Sequence, residues 1–529
     1  MVLDKKVILT ADRTVMSNYG NSLFYGFLST APKKSFKILS VDRMMRTIIK
    51  RVPTDDEGRA KIAPQGLRRL ESALVGSGVL GADEVAVAPP ENLGRMVSGA
   101  TKVVGITVID PLGRGPSSST FGGEYGIIHE ETINSLQFRN LMESEVLRRA
   151  RENGAKVIVG GPGAWQLGSR EMERFGIDVL VDGEAELLFP EVIESALDGR
   201  LQTPAIIKTD YKMVPEAQQI PPLMGGTIGG VVEISRGCGR GCRFCMPTMR
   251  KIRHRSIEEI IADIKTNIAF GQRDICLHAE DVLRYGSFRI EVEPDKVIPL
   301  FKAVKEVPGV DMLSVSHTAL SSIASSPQTV SKISEVLELD RKCWMGFQTG
   351  IETGSPKIIQ NLMSLKPAPF KPSEWPQVVE NAFAICANNN WVPAATLMVN
   401  LPGETESDVI QTTEVVESLY GYKSLIVPLL YVPFGNDETK PMRMIEDAKY
   451  YHFELYKAIW RHDMHWLKDL AADYSRTNDA ITKMAIGAIV RFVNTIADWR
   501  VKAYLNEQIE RLRPKEDRAE DATHPAIEA

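Results

Sequence analysis

Two consecutive trains of strand-then-helix patterns fill most of the 529 residues, and that alternation constrains the fold more than any other feature. A strand reached through a helix enters its sheet in the same direction as the strand before it, so both trains imply parallel sheets. In the first train the apolar runs Lys6–Thr10, Glu84–Ala88, Lys102–Ile109, Lys156–Val159 and Asp178–Val181 read as strands. Helical patterns at Pro64–Gly78, Asn134–Asn153 and Ala185–Leu197 lie between and after them. Five such strands imply a doubly wound, flavodoxin-like α/β sheet over residues 1–202, with ligands bound outside the strands' carboxyl ends. Thr30–Arg59 is long for one connection and is expected to form a local excursion or lid.

Residues 203–230, rich in Pro and Gly, read as a linker. The second train, residues 231–438, has six expected strands: Val231–Arg236, Asp274–His278, Asp311–Ser316, Cys343–Gly350, Val392–Val399 and Ser424–Val432. Ser256-Ile-Glu-Glu259 is a capping-box pattern that opens its first helix. Residues 439–529 become helical, with Trp460, Trp466 and Trp499, and Arg511–Ala529 is expected to fray.

Cys238-Gly-Arg-Gly-Cys242-Arg-Phe-Cys245 directly follows the first strand of that second train. Soft thiolates at this spacing suit iron–sulfur or zinc. A structural zinc site would need a fourth ligand nearby, whereas three thiolates on a four-iron cluster leave one iron open for chemistry. Gly237, Gly239 and Gly241 let the loop wrap closely around its ligand. Cys276 and Cys343, expected in strands, and Cys386, expected mid-helix, are too widely spaced for a second cluster and read as buried structural thiols.

The CxxxCxxC motif and the six-unit train resemble the radical S-adenosylmethionine (SAM) enzymes, whose fold is an open (β/α)6 barrel. The resemblance implies a [4Fe–4S] cluster on Cys238, Cys242 and Cys245, with SAM on the open iron and Phe244 near the adenine. Leu277-His-Ala-Glu280-Asp281 ends the second barrel strand, so Glu280 or Asp281 can accept from the SAM ammonium; the competing reading of Asp281 is a helix N-cap. Gly346-Phe-Gln348-Thr-Gly-Ile-Glu352 resembles the ribose-contacting strand, with Glu352 as hydroxyl acceptor or, alternatively, as a buried carboxylate serving the barrel. Asn400-Leu-Pro-Gly-Glu-Thr405 resembles a G-L-P-G-E-T turn with Asn400 in place of its first glycine. Tyr431-Val-Pro-Phe-Gly435 resembles a segment that closes the barrel mouth, and His317 ends the third strand.

An open parallel sheet ahead of such a barrel resembles the cobalamin-binding class of this family; the alternative is a plain flavodoxin-like domain. Expected contacts are Asp110, on the long loop after the third strand, Gly160-Gly161-Pro162 after the fourth, and Gly183 and Glu184 after the fifth. The Asp-x-His-x-x-Gly loop of many corrin proteins is absent: Asp12-Arg-Thr14 puts threonine where the histidine would ligate cobalt. Cobalamin without a histidine lower ligand follows from that resemblance. The implied activity is a methyltransferase in which a 5′-deoxyadenosyl radical activates an unactivated carbon that then collects methyl from methylcobalamin. Leu9–Thr14 and Leu277–Tyr285 resemble archaeal members, which points to C-methylation of a glutamine in methyl-coenzyme M reductase, a post-translational modification. A small-molecule or lipid methyltransferase, a cyclase and a non-catalytic cobalamin- or SAM-binding module remain alternatives. Expected partners are a protein or peptide substrate and an external electron donor. A net charge of −5 gives no electrostatic footprint for nucleic acid. No apolar run of ~18 residues suggests a membrane span. Six cysteines, three of them clustered, fit a reducing cytoplasm better than a disulfide framework.

Overall fold

The computed structural model describes residues 4–19, 28–33, 41–47, 49–210, 212–246, 249, 251–433, 437–474 and 493–514, with isolated positions between 483 and 491. The chain forms two compact units, Met1–Thr318 and Ala319–Ala529, a division that falls inside the span 231–438 expected as one barrel.

In the first unit, β1 (Val7–Ala11), β2 (Val85–Val87), β3 (Val103–Thr107), β4 (Lys156–Gly160), β5 (Val179–Asp182) and β6 (Ala205–Lys208) form one sheet in the order β2-β1-β3-β4-β5-β6. All pairs are parallel. The expected five strands are present in the flavodoxin order, and β6 extends the sheet within the stretch read as linker. Its residues are alternately half-buried and exposed, so Ala-Ile-Ile-Lys gives too short an apolar signal to stand out beside Pro204. Both faces of the sheet are covered, as an all-parallel sheet requires. Ile8, Val104, Val157 and Leu180 bury into one core, and Val7, Leu9, Val103, Ile158 and Val179 into the other. The helical stretch Asn134–Asn153 is two helices, Ile133–Met142 and Glu145–Glu152. Ser144 breaks it by capping the second, its hydroxyl accepting from Leu147 N.

Also in this unit, β7 (Val231–Glu233), β8 (Asp274–His278) and β9 (Met312–Val315) form a parallel sheet in that order. Beyond β7, Ser235–Arg236 pairs antiparallel with Arg253–His254, so the cysteine loop is the tip of a hairpin. The expected capping box is formed: Glu259 N donates to Ser256 Oγ at 3.2 Å and Ser256 N to Glu259 Oε2 at 2.8 Å. Gly226–Thr227 pairs with Ile62–Ala63, and Arg69 meets Asp263 at 2.6 Å, with Arg255 on the same carboxylate. These contacts bind the six-stranded sheet to the β7–β9 segment by more than chain continuity.

In the second unit, β10 (Met345–Glu352), β11 (Trp391–Val399) and β12 (Leu425–Leu430) form a parallel sheet in that order. The helix Tyr450–Tyr474 packs along β12. Its Asp463 accepts from Ile426 N at 2.9 Å, His462 Nε2 meets Ser424 Oγ at 2.8 Å, and Trp466 Nε1 donates to the Tyr420 carbonyl at 3.1 Å. Trp460 donates to Asp498, whereas Trp499 is 70% exposed. Cys386 is buried in the helix Trp375–Asn388, but Cys343 lies in the exposed turn before β10, because the strand starts only at Met345. Among the described residues no helix is long and apolar enough to cross a membrane.

Candidate cofactor site

The cysteine hairpin depends on glycine. Gly237, Gly239 and Gly241 take φ of 79°, 69° and 67°, and a Cβ at Gly237 would lie 2.3 Å from the Lys251 carbonyl oxygen. Cys238 N and Gly239 N both donate to the Met249 carbonyl, and Cys245 N closes a turn around Phe244 onto the Cys242 carbonyl at 3.1 Å. Cys242 is buried, while Cys238, Phe244 and Cys245 are half-buried. Burial pushes the Cys238 thiol above its ordinary pKa. Arg284 Nη1 steadies the loop by donating to the Cys238 carbonyl at 2.6 Å. Among the described residues no three His, Cys, Asp or Glu side chains already stand close enough to hold a metal ion.

The two candidate acceptors after β8 differ. Asp281 is buried and paired with Arg240 at 3.2 Å; the 3₁₀ turn Val282–Arg284 that follows takes no side-chain cap from it. Glu280 follows β8, and burial raises its pKa. Its Oε2 is buried with no hydrogen-bond partner among the described residues. An orphaned carboxylate oxygen at the end of the strand beside the cysteine loop's strand suits a ligand that brings an ammonium group. His278 Nδ1 meets Ser316 Oγ at 2.9 Å, and the His278 and His317 rings stand 6.2 Å apart.

In the second unit, Gln348 is exposed on β10. Glu352 ends that strand at φ 65°, with Lys366 Nζ 3.0 Å from Oε1 and Thr396 Oγ1 3.4 Å from Oε2. A positive φ on glutamate is strained, which fits a residue fixed for a purpose. Asn400 has φ 68°, the left-handed conformation in which asparagine is the best substitute for glycine. Its N–H donates to Glu404 Oε2 at 2.7 Å, and burial pushes Glu404 up to about 7. Glu404 had no signal of its own, because the pattern presents it only as one letter of the turn. Tyr431 bonds Asp437, and Phe434 and Gly435 lie outside the described residues.

At the carboxyl end of the first sheet, β1 and β3 meet where the strand order reverses, the position at which such folds open a ligand crevice. Thr14 is buried there, its hydroxyl 2.5 Å from Asp12 Oδ1, and burial raises the Asp12 pKa. Asp110 accepts from Gln166 Nε2 at 2.7 Å and Gly115 N at 2.9 Å, and so shapes the loop that Pro111 begins. Gly160 ends β4, Gly161 (φ 106°) is packed so that a Cβ would lie 2.5 Å from Thr107 Oγ1, and Pro162 follows. Ile109 and Leu187, at the same end of the sheet, are exposed by 55% and 46%. Glu184 reaches away to the cysteine hairpin: its carboxylate meets Arg236 at 2.5 Å and Arg253 at 2.7 Å. Neither arginine drew notice in the sequence, although both flank the cysteine motif.

Residues 232–416 match the Radical SAM superfamily. Such a domain implies a [4Fe–4S] cluster and SAM. The curated relatives include the ribosomal protein uS12 methylthiotransferase RimO of Thermotoga petrophila, 29% identical over 192 residues, covering 36% of this chain and 41% of the relative. Another is the tRNA-2-methylthio-N(6)-dimethylallyladenosine synthase of Magnetococcus marinus, 23% identical over 333 residues, covering 59% and 72%. The chain thus spans about two fifths of the length of the first of these relatives. Among solved structures, the radical SAM methyltransferase TsrM from Kitasatospora setae, with tryptophan and a SAM analogue bound, aligns at a TM-score of 0.52 and 13% identity over 80% of this chain and 73% of TsrM. A second TsrM structure, with cobalamin and a [4Fe–4S] cluster bound, aligns at 0.50. That likeness is one of fold, and it extends across both α/β segments.

Proposed function

We propose that this chain is a cobalamin-dependent radical SAM methyltransferase that adds a methyl group to an unactivated carbon. One observation carries the reading: the carboxyl end of a flavodoxin-order sheet, with exposed Ile109 and Leu187, stands in one compact unit with a cysteine hairpin that its Glu184 loop touches. An apolar, bulky cofactor resting on that end would cover those two side chains. Cys238, Cys242 and Cys245 would hold the cluster, and Glu280 would take the ammonium of SAM. Asp110 and the loops at Thr14, Gly160-Gly161-Pro162 and Gly183 would surround the corrin. The cofactors supply the one-carbon and radical chemistry; the protein's part is to align them and exclude water. We assign the cofactor sheet to residues 1–208, past the expected boundary at 202 because β6 belongs to it, the barrel to 231–438 and the helical region to 439–529.

For the substrate we propose a protein glutamine, as in methyl-coenzyme M reductase, delivered in the cytoplasm with electrons from a separate donor. The curated relatives favour a second reading, methylthio transfer. Sulfur insertion would call for a sulfur-carrying centre, and the remaining thiols are dispersed over strand β8, an exposed turn and a buried helix. Mass spectrometry of glutamine-containing peptides incubated anaerobically with the reconstituted chain, SAM, cobalamin and reductant tests both. A gain of one methyl group with 5′-deoxyadenosine supports the proposal; a gain of methyl plus sulfur establishes the second reading instead.

A further inference from the structure

We propose that Glu184 is a positioning residue that fixes the cysteine hairpin against the carboxyl end of the N-terminal sheet, and so couples radical formation to methyl transfer. The inference rests on the function proposed above. One carboxylate holds both feet of the hairpin. Arg236, on the strand entering the cysteine loop, gives Nη1 to Glu184 Oε2 at 2.5 Å. Arg253, on the strand leaving it, straddles the same carboxylate, Nη1 to Oε2 at 2.8 Å and Nη2 to Oε1 at 2.7 Å. Glu233 takes the Nε and Nη2 of Arg236 at 2.6 and 2.9 Å, and Glu186 meets its Nη1 at 2.8 Å beside Glu184.

The five side chains are exposed by 13% or less. Burial alone would push Glu233 up, but Arg236 pulls it down to about 2. Two-pronged arginine–carboxylate pairs fix direction as well as distance, and burial keeps water from loosening them. The Glu184 loop is itself pinned to the sheet: at Gly183 (φ 127°) a Cβ would lie 1.8 Å from Thr209 Oγ1, just beyond β6. A continuous series of contacts therefore runs from β6 through Gly183 and Glu184 to the arginines on either side of Cys238. With three donors already on its two oxygens, Glu184 is spent on the hairpin rather than on a corrin.

The test uses the full chain with Glu184→Gln, Arg253→Ala and the milder Arg253→Lys. Hydrogen exchange of residues 237–249, read by mass spectrometry, is expected to quicken on the order of 10²-fold in the first two variants and less in the third, because each leaves a buried charge unpaired. Iron and cobalamin content should stay at wild-type levels, and so should 5′-deoxyadenosine formation. Methylated product per 5′-deoxyadenosine should fall on the order of 10²-fold, the cost of about 1 Å of misplacement. Unchanged exchange in residues 237–249 would overturn the proposal. So would a parallel fall of product and 5′-deoxyadenosine, or loss of cobalamin from Glu184→Gln with its retention in Arg253→Ala, since the carboxylate would then touch the corrin. A wild-type chain that makes 5′-deoxyadenosine but no methylated product refutes the functional reading, and the exchange measurement still decides whether Glu184 holds the hairpin.

Discussion

Glu404 offers a quantitative handle on the turn after β11. Its side chain is half-buried and accepts the Asn400 N–H at 2.7 Å, and desolvation pushes it up to about 7 in the folded chain against 4.5 for a free glutamate. The folded state therefore binds the proton more tightly than the unfolded state does. Stability from this group is complete below pH 4.5 and is lost as pH rises to about 7, beyond which the penalty is constant. At 1.36 kcal/mol per unit, the difference amounts to roughly 3 kcal/mol. Glu404→Gln, which mimics the protonated form, should remove that slope. Urea unfolding of both chains between pH 5 and 8, followed by tryptophan fluorescence, reads the effect: the variant gains on wild type by roughly 3 kcal/mol at pH 8 and by little at pH 5. Parallel stability curves across that range would refute the assignment of a proton-retaining Glu404.

Alanine at Cys238, Cys242 or Cys245 should abolish the ~400 nm iron–sulfur absorption and SAM cleavage, because three thiolates hold the cluster. Alanine at Cys276, Cys343 or Cys386 should leave iron per chain unchanged, and loss of several irons from any of them would reveal a second cluster. Glu280→Gln should weaken SAM binding about 10-fold or more by removing a charged acceptor, with iron content intact, as isothermal titration would register. Electron paramagnetic resonance of cobalamin bound as Co(II) should lack nitrogen triplets, since Thr14 gives its hydroxyl to Asp12 and offers cobalt no nitrogen; triplets would show an axial nitrogen after all.

Strands β1 to β5 were readable from apolar runs because both faces of the six-stranded sheet are buried there, which leaves no polar alternation to confuse the signal. β6 escaped because an edge strand needs only a few half-buried residues, and the break at Ser144 because one hydroxyl cap outweighs a continuing helical pattern. Within the site, the cysteines, Glu352 and Asn400 were legible as motif positions. Which of Glu280 and Asp281 keeps an oxygen to offer was not, since that depends on Arg240 reaching across from the cysteine loop. The partners of Glu184 were illegible for the same reason. Its sequence neighbours suggest a ligand loop, while its partners lie 52 and 69 residues away.

The polar stitching between the helix Tyr450–Tyr474 and β12 bears on how far this chain can be shortened. Asp463 takes the Ile426 N–H, a strand donor that would otherwise solicit another strand. A chain cut before Tyr450 would bare that margin as a template for its own copies, and would precipitate or form filaments rather than yield a minimal enzyme. The terminal helices thus act as a guard against self-recruitment, and any lineage that discards them must first find another way to blunt that edge.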